Sequence, residues 1–390
     1  MERREKVYGL FNDSFPPVLD GVTLTVQNYV RWLTAMGRNT CVVTPWNPVT
    51  PPHEDFDLYR YFSLSIASRK PYRYGYPKLD PFIWHKMRTV PFALVHAHCP
   101  FSSGRLALYA ARRQNVPLIA TFHSKYRTDL EHSLPPWLVR HVMRRIMEFF
   151  NAADEVWIPQ AKVEETVREY GYKGRLSVVE NGIDLEIDGN DTVKTFKETQ
   201  RRVLGYASGE MVLLFVGQHI REKGVLLIIK AMDKLRDIPV RMEFVGTGYA
   251  VDEMKALIKS LGLEDRIRLN GLVSDRDLLK SYYGAADLFL FPSRYDNAPL
   301  VVREAAMAGT PAVLITGSTA AEVIKDGFNG FLVDESPESY ASKIRSLYND
   351  RSKVEVAAEG ARLTLTRSWR AVMEEVVERY EEIIDRYGCR

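Results

Sequence analysis

Cysteine is scarce in this sequence, which has only Cys41, Cys99 and Cys389 among 390 residues. Three widely spaced thiols provide neither a disulfide framework nor a zinc ligand set, which excludes a small disulfide-stapled or zinc-stabilised domain. No apolar run approaches the roughly 18 residues of a membrane span. The basic start MERREKVYGL is not followed by the apolar segment of a signal peptide. We therefore expect a cytoplasmic protein.

Compositional bias is also absent. With 46% hydrophobic and 26% charged residues, the chain falls outside the disordered, coiled-coil and fibrous classes. No short repeat or low-complexity tract interrupts it. Its 390 residues exceed what one hydrophobic core organises well, so we expect two domains.

Charge is distributed unevenly along the chain. Up to residue 180 there are 24 Lys and Arg against 17 Asp and Glu, whereas the remainder has 29 against 33. A basic first half favours an anionic partner, such as a lipid headgroup surface or a phosphorylated acceptor. Simple scatter of charges between the halves is the alternative.

Short strand-like runs alternate with helical periods, which favours α/β architecture with mostly parallel sheets. The predicted strands are KVYGLFN, NTCVVTP, ALVHAHC, PLIATFH, DEVWIP, LSVVEN, MVLLFVG, VRMEFVG, RIRLNG, ADLFLFP and PAVLIT. The polar segment IDLEIDGNDTVKTFKETQRR places a boundary near 186–205. We expect two Rossmann-like, doubly wound domains that face each other across a cleft, with ligands beyond the carboxyl ends of the strands.

The stretch PSRYDNAPLVVREAAMAGTP contains two acids eight residues apart, Asp296 and Glu304. A proline is well tolerated at a helix start, so we expect a helix from about Pro299, with Asp296 in the preceding loop and Glu304 on the second turn. The first N–H groups of such a helix favour an anion. Two carboxylates beside bare N–H groups suit a ligand that carries both hydroxyls and phosphates.

Two other predicted strand ends carry groups that suit a phosphate. FVGQHIREKG places Gln218, Arg221 and Lys223 after a strand, where the cations could neutralise a diphosphate. FVGTGYA places Gly246 and Gly248 after the next strand. It lacks the third glycine and the downstream acid of a dinucleotide fingerprint, although a nucleotide base could still pack on so bare a turn.

In the first half of the chain, three histidines lie at predicted strand ends, and a glycine lies between the first strand and the helix that follows it. Gly21 precedes a helix, where it leaves the N-terminus open to a phosphate or simply forms a turn. His96 and His98 share one strand face by alternation, and His123 lies at the tip of the next strand. No nearby acid or cysteine completes a metal site, so we expect no metal. We expect His98 to be a buried, satisfied residue and His123 to be the site candidate.

Taken in order, these motifs resemble the retaining nucleotide-sugar glycosyltransferases of family 4, which have the GT-B fold. The resemblance covers nearly the whole chain and rests on FPPVLDGVT, VHAHCP, TFHS, VVENGID, FVGQHIREKG, FVGTG, RIRLNGLV, YGAADLFLFPS, DNAPLVVREAAMAGTP and DGFNGFLV. It implies an acceptor-side domain at 1–190, a donor domain at 191–366 and a C-terminal helix at 367–390 that crosses back to the first domain.

The resemblance also implies roles for individual residues. Gly21 would lie near the donor phosphates and His123 would contact the donor sugar and assist the reaction. Lys223 would bind the diphosphate, Glu304 would hold the ribose hydroxyls, and Asp296 would lie beside the sugar ring. No cofactor or essential metal is implied, because basic groups replace the cation.

Three departures from the family pattern bear on the donor. Gln218 occupies the usual phosphate-binding arginine position, and Arg221 is expected to compensate. Asp296 is one methylene shorter than the family's glutamate. Asn297, Ala298 and Pro299 replace the usual Gly-Phe-Gly, so that the N–H groups of Ala298, Leu300 or Val301 would meet the sugar and β-phosphate.

The expected activity is transfer of a hexose from a nucleotide sugar, UDP-linked by preference, to an acceptor hydroxyl of a lipid, glycan or small molecule. A sugar-nucleotide epimerase on the same scaffold is one alternative, and a sugar-nucleotide-binding partner subunit with little catalysis is another.

Two basic segments bear on the acceptor. WLVRHVMRRIMEFF, residues 137–150, sets Leu138, Val142, Ile146 and Phe149 against four basic side chains, and ASRKPYRYGYPK, residues 67–78, interleaves basic and aromatic residues. They predict a peripheral contact with anionic membranes, or a helix packed on its own domain with a solvated basic face. No nucleic-acid-binding motif accompanies them, so no nucleic acid partner is expected.

Overall fold

The computed structural model describes residues 6–18, 20–49, 55–66, 71–131, 134–183, 193–294 and 296–389. They divide into two units, here called unit 1 (Met1–Gly182 with Trp369–Arg390) and unit 2 (Ile183–Ser368). The boundary predicted near 186–205 falls partly in residues 184–192, outside the described residues.

The strands of unit 1 form one large parallel sheet and a small hairpin. The sheet has the order β3-β2-β1-β6-β7-β8-β9, and β4 and β5 pair antiparallel. Their bounds are β1 Val7–Phe11, β2 Thr40–Pro45, β3 Asp57–Tyr61, β4 Ser63–Ser65, β5 Arg73–Gly75, β6 Phe92–Ala97, β7 Leu118–Thr121, β8 Glu155–Ile158 and β9 Leu176–Val178.

The strands of unit 2 form a second parallel sheet, with the order β12-β11-β10-β13-β14-β15. Their bounds are β10 Met211–Val216, β11 Val240–Val245, β12 Ile267–Leu269, β13 Leu288–Phe291, β14 Ala312–Ile315 and β15 Phe331–Val333. Central runs such as MVLLFV and LFLF are buried along their whole length, as expected for parallel strands covered on both faces.

Helices connect the strands of both sheets. In chain order they are α1 Gly21–Ala35, α2 Pro81–Thr89, α3 Ser102–Gln114, α4 Tyr126–Glu131, α5 Pro136–Asn151, α6 Val163–Glu169, α7 Val193–Val203, α8 Val225–Asp233, α9 Val251–Ser260, α10 Arg276–Ala285, α11 Leu300–Met307, α12 Pro337–Asn349, α13 Ser352–Leu365 and α14 Trp369–Gly388. The predicted fold class, α/β with two doubly wound parallel sheets, is thus confirmed.

The terminal helix α14 belongs to unit 1. It packs on α1 and β6 through a buried stripe that includes Trp369, Val372, Val376 and Tyr380. The Tyr380 ring stacks on Trp157 of β8 at 5.4 Å. Apolar residues at three- and four-residue spacing therefore bury one face of the helix against the sheet.

The apolar face predicted for residues 137–150 needs a correction. Ile146 and Phe149 are buried in α5, but Leu138 and Val142 are only half-buried, while Val139, Met143, Met147 and Phe150 pack in the core. The buried stripe is rotated by about one residue, because the apolar side chains at positions 139, 143, 146 and 150 share one helix face and pack in the core.

Candidate functional site

Neighbouring strands of unit 2 bring three of the predicted donor segments to one edge of the sheet. β10 pairs in parallel with β11 on one side and with β13 on the other, so their carboxyl ends lie side by side. Gln218 follows β10, Gly246 and Gly248 follow β11, and Asp296 follows β13. Ligands of open α/β sheets bind at such edges.

The two glycines after β11 are needed for close approach of the β10 loop. A Cβ on Gly246 would lie 2.0 Å from the Gly217 carbonyl oxygen, and one on Gly248 would lie 2.3 Å from that of His219. Gly246 also has a positive φ of 134°, which side-chain-bearing residues rarely adopt. These glycines therefore join the two loops into one rigid edge.

Lys223 and Asp296 form an ion pair at this edge. Lys223 Nζ lies 3.0 Å from Asp296 Oδ1, and Ser293 Oγ donates to Asp296 Oδ2 at 2.6 Å. The side chains of the pair are 13% and 18% exposed, so they are shielded from bulk water on most sides. A concentrated positive charge thus lies beside a carboxylate held by a hydroxyl.

The helix α11 starts at the same edge and carries the second acid. Pro299 is its N-cap residue, with no side-chain hydrogen bond at the cap within the part of the chain that the structure describes. Glu304 lies on the second turn, as predicted. Asn297 is buried, while Ala298, Leu300 and Val301 are half-buried near the start of the helix.

Glu304 is held from two sides by residues that the sequence reasoning missed. Tyr283 of α10 donates its hydroxyl to Glu304 Oε2 at 2.8 Å, and Arg276 Nη1 lies 3.3 Å from Oε1. Burial, and the carboxylate beside it, raise the pKa of Tyr283 well above its ordinary value, so the hydroxyl keeps its proton. The carboxylate is therefore oriented before any ligand binds.

The two residues expected to share the arginine role differ in environment. The side chain of Arg221 is 67% exposed, and its Nε donates to Glu253 Oε2 of α9 at 2.7 Å. Gln218 is exposed. Arg221 would have to leave Glu253 before it could compensate for the missing positive charge at Gln218.

The first-half candidates lie on unit 1. Gly21 is the first residue of α1 and is exposed to solvent. A Cβ at this position would lie within 4 Å of no other atom. The helix is capped by Asp20, whose Oδ1 accepts from Thr23 N at 2.7 Å. No contact among the described residues explains a glycine at this position, and its role stays a prediction about the ligand.

The histidines form a compact group at the carboxyl ends of β6 and β7. His96 and His98 are fully buried with rings stacked at 4.2 Å, and His123 is half-buried. His98 Nδ1 lies 3.0 Å from His123 Nε2. Burial lowers the pKa of His123 to about 3 and that of His98 well below its usual range, so all are neutral near pH 7.

His98 departs from its expected state as a satisfied buried histidine. Its Nδ1 is hydrogen-bonded, but its Nε2 is buried with no hydrogen-bond partner among the described residues. Among the same residues, no group of three or more His, Cys, Asp and Glu side chains could hold a metal ion.

A basic, partly apolar surface lies on the outer face of α5. Trp137 is 65% exposed, and Arg140, Arg144 and Arg145 are exposed beside it. The other basic segment lies around the β4–β5 hairpin, where Tyr74 and Tyr76 are exposed, and its residues 67–70 lie outside the described residues. No helix in the described ranges combines the length and apolarity needed to cross a membrane.

Two family models match the chain and together span most of it. Residues 19–187 match Glycosyltransferase Family 4, and residues 196–364 match Glycosyl transferases group 1. The first match falls on the histidine-bearing half and the second on the half with Lys223, Asp296 and Glu304.

Relatives of known activity match over most of their length. An alpha-monoglucosyldiacylglycerol synthase of Streptococcus pneumoniae is 24% identical over 83% of this chain and 74% of its own. A sulfoquinovosyl transferase of Arabidopsis thaliana is 26% identical, with 90% and 68% covered. A D-inositol 3-phosphate glycosyltransferase of Xylanimonas cellulosilytica is 29% identical, with 77% and 74% covered.

Solved structures share the fold. Anabaena HepE, crystallised with UDP and glucose, superposes with a TM-score of 0.77 at 19% identity, covering 97% of this chain and all of its own. A sucrose-phosphate synthase from Thermosynechococcus elongatus gives 0.80 at 18% identity, covering 98% of this chain and all of its own.

Proposed function

Because the chain belongs to the GT-B glycosyltransferases of family 4, we propose that it transfers a hexose from UDP-hexose to a lipid hydroxyl, with retention of anomeric configuration and without a bound metal. The observation that carries the proposal is the arrangement of Lys223, Asp296 and Glu304 around the start of α11 in unit 2.

We assign the donor by matching the protein groups of the site to the chemical parts of a nucleotide sugar. A diphosphate needs cations and N–H donors, which Lys223 and the first turn of α11 supply. Ribose hydroxyls need an acceptor, and the Glu304 carboxylate is pre-oriented by Tyr283. Asp296 lies beside Lys223 and suits the hydroxyls of the transferred sugar. The choice of uridine is supported by HepE, which was crystallised with UDP.

The chemistry in this proposal is electrostatic. As the glycosidic bond of the donor breaks, negative charge develops on the departing diphosphate. The Lys223 ammonium and the N–H groups of α11 stabilise that charge, which is commonly the largest catalytic contribution. These groups would take the place of a divalent cation. Unit 1 contributes His123, proposed to contact the donor sugar.

The lipid acceptor is supported by two observations. The Streptococcus pneumoniae relative is a diacylglycerol glycolipid synthase by name. The outer face of α5 combines exposed Trp137 with three arginines, and such a face attracts anionic headgroups while the indole enters the interface. We propose that this face places the enzyme on anionic membranes, as a peripheral protein.

Measurements of donor binding and of sugar transfer test the proposed donor and the residues assigned to bind it. In a thermal-shift screen with UDP, GDP, ADP and their sugars, UDP and its sugars should raise the melting temperature. Lys223→Ala and Glu304→Ala should each lower transfer at least about tenfold, since each removes a charge-assisted contact worth roughly 1.5–3 kcal/mol. Lys230→Ala and Glu359→Ala, on exposed helix faces, are the matched controls.

Product analysis separates the alternatives. Unchanged transfer in both site variants would refute the site assignment. Conversion of the donor to another nucleotide sugar without acceptor would indicate an epimerase. Donor binding without transfer to any lipid, glycan or small-molecule acceptor would indicate a binding subunit.

Vesicle cosedimentation tests the membrane face. The protein should bind phosphatidylglycerol vesicles at low salt and release them at high salt, because exposed charges are screened. Replacing Arg140, Arg144 and Arg145 together by alanine should abolish binding. The control replaces Lys230, Lys255 and Lys259, three exposed lysines of unit 2. Equal loss in both triple variants, or no binding by the wild type, would overturn the assignment.

A further inference from the structure

The helices on one side of the large sheet in unit 1 carry a strong excess of positive charge. These are α2, α3 and α5, and α3 packs against α2 on one flank and against α5 on the other. The only acid on the three helices is Glu148. Their basic residues are Lys86, Arg88, Arg105, Arg112, Arg113, Arg140, Arg144 and Arg145. We call these three helices the basic layer.

The helices on the other side of the sheet have the opposite balance. Alternation along β6 separates the two sides: Val95 belongs to the core that includes α2, α3 and α5, whereas His96 Nδ1 lies 2.6 Å from the Tyr380 hydroxyl of α14. α1 and α14, which pack on each other, contain four Lys and Arg residues against six Asp and Glu. Positive charge is therefore segregated to one side of the sheet and is not a uniform property of unit 1.

Arginines on the two sides also differ in their partners. Each arginine of α14 is ion-paired with an acid of unit 1 within 3.1 Å. In the basic layer, Arg144 and Arg145 share Glu148. The other arginines of the layer are exposed and have no ion pair with an acid among the described residues; they are Arg88, Arg105, Arg112, Arg113 and Arg140. Unpaired like charges repel one another, so an anionic partner would stabilise this face.

Exposed aromatic side chains lie at one end of the basic layer. Phe82 and Trp137 are the second residues of α2 and α5, and they are 55% and 65% exposed. Each helix of the layer leads back to the amino end of a parallel strand, so its own first turn lies at the carboxyl edge of the sheet. His98 and His123 follow β6 and β7 at the same edge. The aromatic end of the layer is therefore its histidine end.

The extent of the layer indicates what kind of partner it fits. Its cations are spread over the outer face of three helices, of which α3 alone has 13 residues and is about 20 Å long. Such a face suits an extended anionic surface rather than a small ligand. Single-stranded nucleic acids bind in basic grooves lined with stacking rings, and this face is the outside of a helix layer. A bilayer offers anionic headgroups together with an apolar region that accepts aromatic rings.

We propose that the outer face of α2, α3 and α5 lies on an anionic bilayer, with Phe82 and Trp137 in the interfacial region at the end nearest His123. The contact extends to three helices the one proposed above for α5, and it rests on that part of the proposed function. Headgroup phosphates take the place of the acids that α3 lacks. Lipid acceptors are then presented at the edge of unit 1 that bears the histidines.

Vesicle binding by a variant of α2 and α3 tests the extended face. Arg88, Arg112 and Arg113 are replaced together by glutamine, which leaves α5 intact. Affinity for phosphatidylglycerol vesicles at low salt should fall about a hundredfold, because each arginine near an anionic surface contributes about fivefold. Unchanged affinity in this variant would overturn the extended face, even where removal of the α5 arginines abolishes binding.

The control replaces Lys230, Lys255 and Lys259 of unit 2 by glutamine, which changes the net charge equally. It should lower the affinity less than about threefold, since these lysines lie outside the layer. An equal fall in both variants would show an effect of net charge alone and would overturn the proposal. No vesicle binding by the wild type would overturn it together with the α5 contact. Binding of single-stranded RNA without vesicle binding would assign the layer to nucleic acid instead.

Brominated lipids measure which end of the layer enters the bilayer. Phosphatidylglycerol with brominated acyl chains should quench part of the tryptophan fluorescence of the wild type. Quenching should decrease in Trp137→Phe and return when Phe82→Trp is added to that variant. Quenching that neither substitution alters would overturn the placement of these two residues in the interface.

Sugar transfer from two carriers separates the membrane contact from the catalytic site. With dioctanoylglycerol in phosphatidylglycerol vesicles, transfer by the α2 and α3 arginine variant should fall at least about tenfold, whereas in neutral detergent micelles it should stay within about twofold of the wild type. An equal fall in both carriers would overturn the membrane role of these arginines. Absence of transfer by the wild type in either carrier would count against the proposed function and leave the vesicle-binding result standing.

Discussion

Among individual residues, some side chains of the candidate donor site can be predicted from their position after a strand, and others cannot. Asp296 and Lys223 were singled out because each follows a predicted strand, and the structure pairs them at 3.0 Å. Ser293, which holds Asp296, also follows β13 and could have been found by the same rule. Tyr283 could not, since its contact with Glu304 depends on how α10 packs beside α11.

The Lys223–Asp296 pair predicts opposite effects of one substitution on binding and on transfer. A diphosphate competes with Asp296 for the Lys223 ammonium, so Asp296→Asn should free this cation. We expect UDP to bind about fivefold more tightly, consistent with roughly 1 kcal/mol for a partly shielded pair, while transfer falls at least about tenfold. Isothermal titration with UDP and a transfer assay measure the two effects.

The control for this substitution is Asp326→Asn, which disrupts the exposed pair of Asp326 with Lys343. It should change neither quantity. Weaker UDP binding by Asp296→Asn would show that Asp296 assists the phosphates rather than opposing them.

At the level of elements, the long apolar strands and the short edge strands β9 and β12 were predicted, whereas the edge strands β3 and β15 were not. MVLLFV and FALVHA are uninterrupted buried runs. β3, with the sequence DLYRY, is half-buried and largely polar, and β15 has three residues. Both lie at sheet edges, where their strand conformation depends on pairing with a single neighbour, β2 or β14, rather than on an apolar pattern of their own.

An ion cluster joins α7 to the start of β13 and gives an element-scale prediction. Asp287 Oδ1 lies 2.7 Å from Lys197 Nζ, and its Oδ2 lies 3.0 Å from Arg201 Nη1 and 3.5 Å from Arg351 Nη1. Oδ2 also accepts from the Val212 N–H at 2.7 Å. The Asp287 side chain is only 10% exposed, so water compensates little for a lost charge. Asp287→Asn would therefore leave three cations around a neutral group.

We expect Asp287→Asn to lower the free energy of unfolding of unit 2 by about 3 kcal/mol, the scale seen when one partner of a buried ion pair is removed. Urea unfolding followed by far-UV circular dichroism measures the change. Asp237→Asn, in the exposed pair with Arg345, should cost less than about 1 kcal/mol. Equal effects of the two variants would contradict a structural role for the cluster.

For the whole molecule, the sequence predicted two α/β domains because strand-like and helical patterns alternate throughout. The placement of residues 369–388 in unit 1 came instead from the family resemblance. The stripe of α14 is apolar at helical spacing and would suit either sheet. Its choice rests on specific partners such as Trp157 and His96, which contact Tyr380. Periodicity does not encode such partners.

Tryptophan makes the two units separately observable. All six tryptophans, Trp32, Trp46, Trp84, Trp137, Trp157 and Trp369, belong to unit 1. Their fluorescence therefore reports the unfolding of unit 1 alone, whereas far-UV circular dichroism reports both units. The difference between the two signals isolates unit 2.

Buried neutral histidines predict that acid destabilises unit 1 more than unit 2. Burial lowers the pKa of His96 and His98 well below the ordinary value and that of His123 to about 3. Below about pH 6.5 the unfolded chain binds protons that the folded chain does not, so each such histidine costs about 1.4 kcal/mol per pH unit. Burial raises the pKa of Asp13, which acts in the opposite direction and offsets only part of this loss.

In unit 2 one buried histidine and one buried acid act in opposite directions. Burial lowers the pKa of His219 to about 4, and it raises the pKa of Glu243 above its ordinary value. From pH 6.5 to 5 we expect the urea midpoint from tryptophan fluorescence to fall steeply and that of unit 2 to fall less, because three such histidines lie in unit 1 and one in unit 2. Neither ring nitrogen of His219 has a hydrogen-bond partner in the described chain, so His219→Leu should reduce the fall of the unit 2 midpoint in acid and leave the fluorescence midpoint unaltered. Parallel acid dependence of the two midpoints would mean that these histidines take up protons in the folded state.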